Sequence, residues 1–245
     1  MAAEWRLLSE RLKRLAVPSG RTALGEFSLE GHRSMERALR NHAPLKEALV
    51  SESFSRSERQ RERDILAELN HRGIPVRIAP DEGVKELSGN RRIGDVFGVM
   101  ALPDPPAWED LLEGEGRRLV LVGWNFSDPG NTGAVIRSAL AAGASGFLAV
   151  GTTDPWHPKA VRTSMGSLFK LPVLRVEEDS GWLGALAQRE VETCATVCGD
   201  AESLPCFRPG HERLALILGS EAFGLPPEVA GACDRRISVP MPEGV

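Results

Sequence analysis

The apolar positions of this 245-residue chain follow two periodicities in turn. Near the start, Trp5, Leu8, Leu12 and Leu15 recur at helical spacing, which predicts an amphipathic helix over the first 15 residues. "GEFSLEG" then reads as a short strand, and "HRSMERALRN" as a helix with Met35, Ala38 and Leu39 on one face. "KEALVS" predicts another strand. "RSERQRERDILAELNHRG" predicts a strongly charged helix that ends at Gly73, a usual residue just past a helix terminus. "IPVRIA" and "DVFGVMAL" predict two more strands, so the N-terminal part is a small α/β unit.

The pattern breaks at "PDPPAW", residues 103–108, where three prolines in four residues can continue neither a helix nor a central strand. We place a domain boundary there, with one domain over 1–103 and another over 109–245. Beyond it the alternation resumes. "RRLVLVG", "GFLAVG", "PVLRVE", "ETCATVCG", "RLALILG" and "RRISVPM" predict strands, and 132–142, 158–169, 180–190 and 226–231 predict helices. Near-continuous apolar strands with helices between them predict a parallel sheet covered on both faces.

Composition narrows the function classes. No apolar run is long enough to span a bilayer. The mixed acidic and basic N-terminus is no signal peptide, so a cytoplasmic protein is expected. Cys194, Cys198, Cys206 and Cys233 form no CxxC pair and no histidine stands at zinc spacing; reduced, buried thiols and no metal are expected. The net charge of −4 argues against a generally sticky nucleic-acid binder, but it is uneven: residues 1–100 hold 18 Lys and Arg against 15 Asp and Glu. Most of those cations are arginines, which grip phosphate bidentately and stack on bases. An RNA partner is therefore permitted through the N-terminal half. A solvated, salt-bridged surface accounts for the same charges.

The stretch most suggestive of chemistry is "DPGNTGAVIRSALAAGASG", residues 128–146. Asn131 reads as the N-cap of a helix from Thr132, Gly143 as its end, and Val135, Ile136, Ala139 and Leu140 as its buried stripe. Arg137 lies one turn beyond Gly133, and helical side chains lean toward the N-terminus, so Arg137 is expected to lie back over Gly133. The dinucleotide fingerprint G-x-G-x-x-G is absent, since Gly130 and Gly133 are spaced G-x-x-G; no G-K-[ST] follows either. An arginine beside a helix N-terminus suits a phosphate. A capped helix with a surface arginine is the plain alternative.

Three further stretches join it: "LALILGSEAFGLP" with Glu221, "RRISVPMPEGV" at the end, and "DPWHPKAVRTSMGSLFKLPV" between. Together over about 120–245 they resemble the SpoU/TrmH family of S-adenosylmethionine-dependent RNA methyltransferases, within the SPOUT superfamily. "FSLEGHRSMERAL" is similar to the start of the small ribosomal-protein-like α/β domain that precedes the catalytic domain in many members and binds the RNA substrate.

The resemblance implies a C-terminal α/β domain with a trefoil knot, a homodimer built through that domain, and methyl transfer to a ribose 2′-hydroxyl, with ribosomal RNA the favoured substrate. It implies catalytic roles for Asn131, Arg137 and Glu221, and a cofactor site at Gly219, Val239 and Met241 with Cys198 and Gly199 nearby. RNA contacts are expected from Arg33, Arg37 and Arg40, while His157 and Lys159 precede a helix and are open to RNA or ordinary helix-start readings. A guanidinium gives up its proton only above about pH 12, so we expect Arg137 to bind phosphate and stabilise negative charge rather than act as a base. The family's third motif continues into Ser-Leu-Asn and a final helix; the sequence stops at Val245, and such a tail is expected beyond it. A base-methylating relative and a non-catalytic RNA-binding or assembly protein are the competing readings.

Overall fold

The computed structural model describes residues 4–89, 94–199 and 201–240. They fold as two compact units, one from Met1–Asp104 with Trp156–Lys170, the other from Pro105–Pro155 with Leu171–Val245.

The first unit is built on four strands: β1 Glu26–Glu30, β2 Leu45–Ser51, β3 Val76–Ala79 and β4 Val96–Ala101. Their spatial order is β1-β4-β2-β3, antiparallel except for the β2–β3 pair. The helix Glu4–Leu15 buries Leu8, Leu12 and Leu15 against Leu49, Phe97 and Val99 of this sheet, as its spacing predicts. The helix His32–Arg40 buries Met35, Ala38 and Leu39. The charged helix runs Gln60–His71, and Gly73 follows it at φ +65°. Three helices of this unit escape the sequence pattern, Pro18–Leu24, Glu52–Ser55 and Asp81–Leu87, none longer than seven residues and all too short to display a period.

The second unit carries β5 Arg118–Trp124, β6 Gly146–Val150, β7 Val173–Val176, β8 Glu192–Thr196, β9 Glu202–Ser203, β10 Arg213–Leu218 and β11 Arg235–Ser238. The seven strands form one sheet in the order β7-β6-β5-β10-β8-β11-β9, and every pairing is parallel. Val120, Val122, Trp124, Leu148, Val150, Ala215 and Ile217 are buried in its core together with Trp182 and Leu186 of the helix Trp182–Ala187. The helix expected at 158–169 stops at Thr163. Met165 and Gly166 take left-handed backbone angles that end it, and a 3-10 turn follows at Ser167–Phe169.

The strand order decides where chemistry can sit. From β5 the chain moves outward through β6 and β7, crosses to β8, and returns to insert β10 between β5 and β8. The sheet therefore reverses direction between β5 and β10. In open parallel sheets, ligands bind outside the carboxyl ends of the strands at such a reversal. The register places Leu218 opposite Gly123, so the chain leaves both strands at the same level.

Phe147, wholly buried in β6, packs its ring against Gly123, where an added Cβ would come within 2.8 Å of it. Phe147→Ala is expected to lower the free energy of unfolding by about 3–5 kcal/mol, read by denaturant titration.

Candidate active site

β5 ends at Trp124 and the helix Pro129–Ala141 begins five residues on. Asp128 caps this helix, its carboxylate accepting from the Gly130 N–H at 2.7 Å, and Pro129 occupies the first turn, where no N–H is needed. The expected cap at Asn131 is thus corrected. The Asp-Pro pair starts the helix three residues earlier and frees the Asn131 side chain for another partner.

That partner is Glu221, in the loop after β10. Asn131 Nδ2 donates to Glu221 Oε1 at 2.8 Å. Ser127 donates twice to Oε2, from its backbone N–H at 3.0 Å and its hydroxyl at 2.8 Å. The Asp128 N–H reaches Oε1 at 3.4 Å. One carboxylate therefore gathers the whole turn between β5 and its helix. Burial works to raise the Glu221 carboxyl, but these donors outweigh it and hold its pKa at about 2.

Gly133 is buried and Arg137 exposed, and the guanidinium makes no hydrogen bond or ion pair with any described residue. Thr132, Ile136 and Ala139 form the buried stripe with Gly133, while Val135 and Leu140 are half-buried. Glu221 orients Asn131 and leaves Arg137 free to meet something outside the chain.

The glycine before Ser220 is forced by the loop itself. Ser220 and Gly224 exchange two backbone hydrogen bonds, at 3.1 and 2.8 Å, closing a tight turn with Glu221 on it. A Cβ on Gly219 would collide with the backbone of Gly224 and Leu225. The close approach that "G-S-E-A-F-G" implies is made first by this chain's own turn.

β8 and β11 flank β10 on the side away from β5, so the residues after them emerge at the same edge. Cys198 and Gly199 follow β8 and are exposed; Val239 follows β11 and is 59% exposed. Thr196 Oγ1 donates to the Ile217 carbonyl at 2.9 Å, and the Val197 N–H to the Ile237 carbonyl at 2.9 Å, which ties the three strand ends together. Gly219, Val239, Cys198 and Gly199 thus come to one end of one sheet. Met241 lies outside the described residues. The cysteines are all free, but only Cys194 is buried; Cys198 lies past the end of β8 and Cys206 ends an exposed 3-10 turn at Leu204–Cys206, which corrects the expectation of four buried thiols.

On the β6 side the end of β5 is held by residues that the sequence reading passed over. The Thr153 hydroxyl donates to the Gly123 carbonyl at 3.0 Å and accepts from the Phe126 N–H at 2.9 Å. Asn125 adopts φ +50°, takes the Thr152 N–H on its carbonyl and donates to Glu178 at 2.9 Å. A groove of about 570 Å³ opens beside them, lined by Trp124, Asn125, Ser127, Phe223, Leu225 and Pro226 among others. Phe223 is 91% exposed at the loop tip. The signal for Asn125 was an asparagine at a strand exit, a residue that tolerates left-handed backbone.

Of the arginines expected to meet RNA, Arg33 and Arg40 are exposed and Arg37 is half-buried, donating to the Met165 carbonyl. Among the described residues no group of histidines, cysteines and carboxylates could hold a metal ion.

Because the folded Glu221 titrates near 2, below an ordinary carboxyl near 4.5, its contribution to the loop is present above the ordinary value and is lost as pH falls through about 2. Carboxyl chemical shifts of Glu221 should show a midpoint near 2 in the wild type. Asn131→Ala should move that midpoint upward.

Two family models match the chain. One, described as the SpoU rRNA Methylase family, matches residues 118–245, and one described as RNA 2'-O ribose methyltransferase substrate binding matches residues 28–105. The chain is 32% identical over 234 residues to the 23S rRNA (uridine(2479)-2'-O)-methyltransferase of Streptomyces viridochromogenes, which covers 90% of this chain and 77% of that protein. It is 27% identical over 230 residues to the 23S rRNA (guanosine(2553)-2'-O)-methyltransferase RlmP of Bacillus subtilis, covering 94% and 85%. The structure of the SpoU methyltransferase AviRb from Streptomyces viridochromogenes in complex with AdoMet superposes with a TM-score of 0.79 at 26% identity, covering 97% of this chain and 89% of that one. The ordered motifs, the parallel sheet that reverses between β5 and β10, and these matches agree: the chain belongs to the SpoU rRNA methylase family.

Proposed function

We propose that the chain is an RNA 2′-O-ribose methyltransferase that uses S-adenosylmethionine and acts on ribosomal RNA. The observation that carries this reading is the contact between Asn131 and Glu221. It joins two motifs 90 residues apart at the sheet reversal, in a chain whose relatives are named 23S rRNA 2'-O-methyltransferases.

The residues present fit the cofactor. Backbone groups at the ends of β8, β10 and β11 offer donors and acceptors side by side, and the exposed apolar Val239 and Phe223 are surfaces that an adenosine would cover. Gly219, Cys198, Gly199 and Val239 would hold it, with Met241 beyond them. S-adenosylmethionine supplies an electrophilic methyl group when bound. The chain's own part is to hold the 2′-hydroxyl in line and to favour loss of its proton. Arg137, with no partner among the described residues, binds the adjacent phosphate and stabilises the charge that develops on the ribose oxygen. Asn131, fixed by Glu221, presents its remaining amide hydrogen and carbonyl to the ribose. Glu221 stays ionised and acts as the positioning group.

The family's domain plan belongs to the same reading: RNA-substrate binding over 1–103 and methyl transfer over 109–245, with the trefoil knot in the latter. A homodimer through the C-terminal domain and a cytoplasmic location complete it; none of the described helices is long and apolar enough to cross a membrane.

Incubation with labelled S-adenosylmethionine and unmodified 23S rRNA should yield 2′-O-methyl nucleosides that resist alkaline cleavage. Arg137→Ala should reduce turnover by about a hundredfold or more, the usual scale for removing a group that stabilises transition-state charge. Base-methylated nucleosides alone would instead favour a base methyltransferase, and RNA binding with no transfer a non-catalytic protein.

A further inference from the structure

The segment Trp156–Lys170 lies within the SpoU rRNA methylase match, between β6 and β7, yet it folds with the first unit. Its ties are specific. Arg162 Nη1 donates to Glu30 Oε2 at 2.7 Å, and Glu30 is 8% exposed. The Trp156 ring packs on Phe27 with centroids 5.0 Å apart. Arg37 donates to the Met165 carbonyl, presented by the left-handed Met165 at φ +54°. Gly166, at φ +85°, has no room for a side chain against Arg37.

The segment also changes the charge of the unit it joins. It contains Lys159, Arg162 and Lys170 and no carboxylate. With it the first unit holds 21 Lys and Arg against 16 Asp and Glu, a net of +5; the second holds 9 against 18, a net of −9.

The segment and the start of the helix His32–Arg40 border a cavity of about 540 Å³ whose lining includes Glu30, His32, Arg33, Arg61, Arg162 and Met165. Its charges nearly cancel. Arg162 is matched by Glu30, and Arg61 is bound through two nitrogens to Glu36, each at 2.6 Å. Arg33 is exposed and has no hydrogen bond or ion pair with any described residue. One uncompensated cation at the mouth of a polar cavity suits one phosphodiester.

We propose that Trp156–Lys170 forms part of the RNA-docking face of the first unit, and that this cavity receives a phosphodiester of the RNA strand. Arg33 makes the direct contact. Arg162 is a positioning residue: by neutralising Glu30 it keeps a carboxylate from repelling the phosphate, and it holds the inserted segment on β1. The inference rests on the proposed function for the identity of the RNA, but binding is read separately from methyl transfer.

The test uses the full chain and unmodified 23S rRNA made by in vitro transcription. Arg33→Glu should weaken RNA binding about tenfold at low salt and reduce the slope of log K against log salt by about 0.7–0.9, the share of one phosphate. S-adenosylmethionine affinity, measured without RNA, should not change. Arg162→Gln should raise KM for RNA more than it lowers kcat, and adding Glu30→Gln should recover much of the RNA affinity, since both charges are then removed. A purely structural role for the pair gives no such recovery. Unchanged affinity and salt slope in Arg33→Glu, a position exposed enough to tolerate the change, would overturn the proposal even if the Arg162 variants fail to fold. If RNA affinity and its salt slope change as stated in the Arg33 variant, and RNA affinity is recovered in the Arg162/Glu30 pair, but no methyl group reaches any RNA, the docking face stands and the enzymatic reading fails.

Discussion

The second unit depends on one placement, the insertion of β10 between β5 and β8. β10 is paired on both sides, so its carboxyl end is fixed by two ladders, with Leu218 opposite Gly123 on one side and Ile217 opposite Ala195 on the other. Any shift of register by one residue would turn Ala215 and Ile217 out of the core. The position of Glu221 three residues past the strand is therefore set by core packing. That rigidity lets a surface carboxylate act as a clamp. It accepts from two backbone N–H groups, a hydroxyl and an amide without bending its own loop, because Ser220 and Gly224 have already closed that loop.

The clamp explains a division of labour between two neighbouring polar residues. Asn131 and Arg137 stand on one helix, both exposed. Among the described residues, only Asn131 of the two is held by a side-chain partner. A guanidinium with no partner among the described residues keeps its hydrogen-bonding capacity for a ligand, at the cost of holding one long side chain loosely in solvent. Where a substrate must be oriented as well as charged, one fixed and one free group is a workable pair.

Much of this could be read from residue order, and the failures have particular causes. Of the six longer parallel strands, β5, β6 and β10 were the most legible, each a near-continuous apolar run as strands covered on both faces tend to be, while β7, β8 and β11 are shorter or interrupted by polar residues. β9, two residues long, carries no period. Asn131 and Glu221 were legible as candidate site residues through the resemblance of their motifs to the family's, and both come to the carboxyl-end side of the sheet. Their mutual contact was not legible, since strand order is a non-local property. The cap was misplaced because Asn131 and Asp128 are equally good cap residues, and the Pro at position 129 was the deciding sign. Arg37 looked like a surface cation; its partner is a carbonyl 128 residues away, in a segment whose allegiance to the first unit no periodicity reveals.

That allegiance bears on how such chains can be built and rebuilt. A module that can be exchanged by recombination needs one clean cut between it and the rest. Here the chain passes from one unit to the other at 104–105, again at 155–156 and back at 170–171. Ala160, Val161 and Leu168 are buried, and the helix that carries the first two packs on β1. A fragment cut at the proline-rich stretch would leave these apolar side chains without the surface they cover, and would leave Glu30 a buried carboxylate without its cation. The substrate-binding unit and the sheet must therefore change together, so a new RNA specificity in this chain is reached more readily by point substitution than by swapping domains.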